Sequence, residues 1–141
     1  MKLGLELGRR PLRRIFHMAD ESSSKYRVAL ASTDGETVNQ HYGRADLFYI
    51  YLVDDEEGYD LIEKRKVLPV CRDGGHIASE MEDSTAQFLD CRYVVASRLG
   101  AGASAALTAR GITAMELPGS VDEAMLKIWK YNRIQGLFKE F

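Results

Sequence analysis

The chain has 141 residues, 45% apolar and 28% charged, a composition that suits one compact soluble domain able to bury a core without disulfide staples. Its formal charge of −2 is uneven, because residues 1–25 carry six basic and three acidic side chains and leave −5 on the remainder, so the main domain lacks the basic face of a nucleic-acid binder. No apolar run approaches the roughly 20 residues needed to cross a bilayer, and two cysteines, Cys71 and Cys91, are too few for a disulfide framework and follow no signal-peptide core; reducing cytoplasm is the expected compartment.

Arg9, Arg10, Arg13 and Arg14 surround Pro11, and residues 1–25 read as a basic, disordered extension. Tyr26 to Ser32 is a continuous apolar run expected to form a buried strand, ended by the turn Thr33-Asp34-Gly35. Asp46 to Val53 is a second strand, and the acidic turn over 54–58 leads into a third from Tyr59 to Leu68, where interleaved charges mark a half-exposed edge. After Pro69 and Gly74-Gly75, the spacing of Ile77, Met81, Thr85 and Phe88 predicts an amphipathic helix over 77–90.

Arg92 to Ser97 has the unbroken apolar character of a strand buried on both faces, which favours a parallel neighbour. Gly100-Ala101-Gly102 opens an Ala-rich helix that Gly111 closes, and Ile112 to Leu117 is a further short strand. In the last helix Ser120 and Glu123 form a capping box, and Val121, Ala124, Met125 and Ile128 form the buried stripe. Residues 26–138 thus read as a single domain with a short tail at 139–141. The order β-β-β-α-β-α-β-α predicts an α/β fold with a five-stranded mixed sheet and helices on both faces. Strand one is expected at its centre with strand four parallel beside it, and their carboxyl ends should border a ligand crevice.

Three segments converge on that crevice: His41-Tyr42-Gly43-Arg44 after strand one, Cys71-Arg72-Asp73-Gly74-Gly75-His76 before the first helix, and Arg98 to Gly102 after strand four. Imidazole and thiolate suit iron and other borderline-soft metals, whereas guanidinium groups and helix-start amides stabilise anions. His41, Cys71 and His76 are the candidate metal ligands, and Arg44, Arg98, Gly100 and Gly102 join His41 as candidate contacts to a bound anion. One cysteine and two histidines do not close a structural zinc site, so an open, exchangeable site is expected. Cys91, where a helix passes into a buried strand, reads as core.

The run Val28-Ala29-Leu30-Ala31-Ser32-Thr33-Asp34-Gly35, with Val38-Asn39-Gln40-His41-Tyr42-Gly43-Arg44 after it, resembles the opening of the dinitrogenase iron–molybdenum cofactor biosynthesis family (NifX / NifB C-terminal-domain-like). Its second half is similar to Leu89 through Gly102 and to Ala109-Arg110-Gly111-Ile112. The resemblance spans about Tyr26 to Trp129 and implies a ribonuclease-H-like fold. It also implies a non-catalytic cytoplasmic carrier for the iron–molybdenum cofactor or an iron–sulfur precursor, bound as cargo in nitrogenase cofactor assembly. The partners implied are the assembly proteins that donate and accept the cluster, with neither nucleic acid nor membrane. His41 matches the family's His-aromatic-Gly signature, with Tyr42 where phenylalanine is usual; Cys71 and His76 lie outside that signature.

Two other classes compete. A ribonuclease-H-type nuclease needs carboxylates clustered on the central strands to hold magnesium, but strands one and four offer only Val28 to Ser32 and Val94 to Ser97. A metal-free regulatory or scaffold module binding a protein or a small anion is the alternative to a carrier. No serine or cysteine has a recognisable activating base beside it, which argues against an enzyme.

Overall fold

The computed structural model describes residues 25–54, 56, 58–68 and 83–139. In chain order it contains strands β1 (Tyr26–Ala31), β2 (Thr37–Val38), β3 (Leu47–Val53), β4 (Tyr59–Lys66) and β5 (Tyr93–Ala96). Helix α1 (Ala101–Ala109), strands β6 (Thr113–Glu116) and β7 (Gly119–Ser120), and helix α2 (Val121–Lys139) follow. The main sheet has the order β4-β3-β1-β5-β6. As expected, β1 is central: it runs antiparallel to β3 and parallel to β5, whose other edge takes β6, also parallel. β4 closes the antiparallel edge, and its Glu63, Lys64 and Lys66 are exposed there, a charge pattern that discourages further strand pairing.

Period-two alternation divides the core into two layers. Ala29, Ala31, Phe48, Ile50, Val94 and Ala96 pack on one face against Phe88, Ala103, Leu107 and Ile112. Val28, Leu30, Tyr49, Tyr51, Tyr93 and Val95 pack on the other against Val121, Ala124, Met125 and Ile128 of α2. Helices therefore cover both faces of a mixed sheet. Burying a Val, Met or Ile side chain contributes about 1.5–3 kcal/mol, so this four-residue stripe is the main attachment of α2. The Ser120 Oγ accepts the Glu123 amide at 3.0 Å, one half of the predicted capping box.

The predicted helix over 77–90 is only partly met. Residues 77–82 lie outside the described residues; residues 83–86 are helical, and 87–90 are turns. The chain leaves the helix through i→i+3 bonds from Gln87 to Ser84 and from Phe88 to Thr85. Arg65 of β4 draws it away, donating to the Gln87 carbonyl at 2.8 Å and pairing with Asp90 at 2.9 Å. Periodicity continued because Phe88 is fully buried, but its burial is achieved from a turn. The pairing of β2 with β7 was also unanticipated, since two residues carry no periodic signal. It ties the start of α2 to the loop after β1, with the Val121 amide donating to the Glu36 carbonyl at 2.9 Å.

Candidate functional site

The loop after β1 is built by its own polar side chains. Buried Ser32 accepts the amides of Asp34 and Gly35 through Oγ at 3.2 and 2.9 Å. Asp34 Oδ1 accepts the amides of Glu36 and Thr37 at 2.8 and 2.9 Å; these bonds hold its carboxyl at about 2, below the ordinary 3.8. Gly35 has φ +76°, and a Cβ there would lie 2.7 Å from the Tyr49 ring, so both backbone and space require glycine. Asn39 then closes the loop, its Oδ1 accepting the Thr33 amide at 3.0 Å and its Nδ2 donating to Thr33 Oγ1 at 2.9 Å.

This loop delivers His41 to the turn after β5. The Ser97 amide donates to the Gln40 carbonyl at 2.9 Å and the Tyr42 amide to the Arg98 carbonyl at 3.0 Å, forming a parallel bridge between His41 and Arg98. The two residues thus lie side by side just beyond the carboxyl ends of the paired strands β1 and β5, and both are exposed. Arg44, also exposed, ends the 3-10 turn Tyr42–Arg44, whose N-cap is His41.

Two residues past Arg98, Gly100 is the N-cap of α1. It has extended backbone angles and makes no side-chain cap bond, and the first turn of α1 holds no acidic residue. The helix start, with Gly102 in its first turn, therefore presents amides and positive dipole to the same end of the sheet. Of the predicted contacts, His41, Arg98, Gly100 and Gly102 come from segments joined in this way, with Arg44 one short turn away. Cys71 and His76 lie outside the described residues. Among the described residues no group of three or more His, Cys, Asp or Glu is arranged to hold a metal ion. Cys91 is buried as expected, and that burial pushes its thiol up to about 12.

Residues 24–131 match the model of the dinitrogenase iron-molybdenum cofactor family. The chain belongs to that family. It is 32% identical over 113 residues to the FeMo cofactor biosynthesis protein NifB of Chlorobaculum tepidum, and 32% identical over 105 residues to that of Frankia alni. These stretches cover 79% and 72% of the chain but only 26% and 20% of the two relatives. Among solved structures, PH0822 shares the fold with a TM-score of 0.51 at 19% identity, over 74% of this chain and 90% of the other.

Two features of this candidate site were not visible in the sequence. Tyr42 is buried, tilted against Phe48 and Phe88 with centroids 5.9 and 6.2 Å away. Its hydroxyl shares a hydrogen bond of 2.7 Å with buried Ser84 Oγ. Burial pushes the phenol upward, so it stays protonated and able to donate. The motif that carries His41 is thereby pinned to the helical residues 83–86. The other feature is Glu116, whose Oε2 accepts the Leu99 amide at 2.7 Å. It places a carboxylate between Arg98 and the start of α1 and fixes that turn. The parallel register of Ala96 with Glu116 was the signal that could have exposed it.

Proposed function

We propose that the chain is a non-catalytic carrier for the iron–molybdenum cofactor, or for its iron–sulfur precursor, in nitrogenase cofactor assembly. His41 is the exchangeable metal ligand. Arg44, Arg98 and the amides at Gly100 to Gly102 hold the anionic cargo, and Cys71 and His76, which lie outside the described residues, supply further ligands. The observation that carries this reading is the backbone bridge between His41 and Arg98. It couples an accessible imidazole to a permanent cation beside a helix N-terminus, the combination a negatively charged metal–sulfur cluster requires.

An exposed ligand favours transfer over storage, because the receiving protein can reach the metal while the cargo is still held by charge. The family match and the NifB relatives support the cargo's identity, and the cluster would pass between cytoplasmic assembly proteins that donate and accept it. Three antiparallel strands followed by two parallel ones support a ribonuclease-H-like classification. Anaerobic reconstitution with an iron–sulfur precursor, followed by desalting and metal analysis, tests the reading. Retained iron with charge-transfer absorbance is expected. A colourless, metal-free protein would instead establish the scaffold alternative.

A further inference from the structure

Helix α2 has a second face that the sheet does not use. Val121, Ala124, Met125 and Ile128, which attach it to the core, all lie in its first half. Leu126, Ile134 and Leu137 fall on the opposite side at intervals of eight and three residues, and are 42%, 49% and 60% exposed. Lys127, Lys130 and Arg133, all exposed, lie along the same side, and no acidic residue occurs between Glu123 and Glu140. Cations late in a helix are expected from its dipole, and one exposed leucine is ordinary. Three aliphatic side chains and three cations on one face of an otherwise acidic domain need a different cause. Ile134 and Leu137 also lie beyond the family match, which ends at residue 131.

We propose that this face is a docking surface for an acidic amphipathic helix of a partner protein. Leu126, Ile134 and Leu137 take the partner's apolar residues, while Lys127, Lys130 and Arg133 take its carboxylates. Charge decides among the possible occupants. A second copy laid over residues 127–133 would set the same cations against each other. Residues 1–24 of this chain bring five cations against three acids, again the wrong sign. The placement leaves the His41 end open, because α2 starts beside Glu36 and runs back to Asn132, which accepts the Tyr93 hydroxyl at 2.7 Å at the opposite end of β5. This inference is independent of the cargo reading, since docking is measured without a cluster.

The probe is a labelled 18-residue helical peptide with a leucine stripe flanked by glutamates, compared with its lysine-flanked twin and with phosphatidylglycerol vesicles. Trp129, the sole tryptophan, sits beside the face under the Arg133 guanidinium at 5.0 Å and reports binding by fluorescence. The acidic peptide should bind the full chain in a salt-dependent manner. K130E/R133E should weaken it at least tenfold and bind the lysine twin instead, and I134S/L137S should bind neither. All four positions are exposed, and unchanged circular dichroism confirms folding of each variant. Absence of peptide binding, equal binding of both peptides, preference for the vesicles, or a dimer abolished by I134S/L137S would overturn the proposal.

Discussion

Replacing Tyr42 by phenylalanine removes one oxygen and leaves the ring against Phe48 and Phe88. The lost bond to Ser84 is short and buried on both sides. A neutral hydrogen bond contributes about 1 kcal/mol net, and the hydroxyl left behind adds a desolvation cost of about 1 kcal/mol or more. Tyr42→Phe and Ser84→Ala should therefore each cost about 1–2 kcal/mol, or about 3–8 °C in Tm for a chain of this size. The double variant should cost no more than either single change, because removing both partners leaves no polar atom stranded. Urea denaturation followed by circular dichroism supplies the double-mutant cycle, with an expected coupling of about 1–2 kcal/mol. Additive costs, within about 0.3 kcal/mol, would refute the claim that this pair pins the His41 motif to residues 83–86.

Gly35→Ala should destabilise by about 2–4 kcal/mol, combining a left-handed backbone with a clash against the Tyr49 ring; a thermal melt within 1 kcal/mol of the parent would contradict that. Asp34 has a folded value of about 2 against an ordinary 3.8, so its stabilising effect is complete above that ordinary value and is lost as pH falls from 3.8 towards 2. Asp34→Asn should flatten acid unfolding across that interval, and an unchanged acid titration by circular dichroism would argue against the loop bonds as the cause. Cys91, with its thiol pushed up to about 12, should resist iodoacetamide at neutral pH until the chain is unfolded; mass spectrometry of the Cys91 peptide from native protein reads this directly.

The long apolar runs of β1 and β5 announced a buried, parallel pair, and the position of β1 followed because the meander starts from it on one side and β5 takes its other edge. α2 was equally legible, since its cap residue and its four-residue stripe are local signals. Those two strands also implied that the loops carrying His41 and Arg98 would lie at one crevice, as loops following neighbouring parallel strands leave the sheet at the same end; that the two residues bridge was not legible. The parts that escaped notice depend on tertiary contact. Ser84 is an ordinary serine until Tyr42 reaches it across 42 positions. Glu116 ends a four-residue strand, and only its register beside Ala96 directs the carboxylate to Leu99. The expected helix gives way after residue 86 for a related reason: a buried Phe88 looks helical by spacing, whereas Arg65 holds the backbone around it in turns.

We propose that His41 and Arg98 act together on a metal–sulfur cargo. The most direct test is an anaerobic titration of the intact chain and of His41→Ala and Arg98→Ala with isolated iron–molybdenum cofactor, followed by electron paramagnetic resonance. The parent should bind with a changed cofactor signal. His41→Ala should lose that spectral change and at least tenfold in affinity, and Arg98→Ala should weaken binding while keeping the changed spectrum, because it removes charge and not a ligand. Identical affinity and spectrum for His41→Ala and the parent would contradict the account.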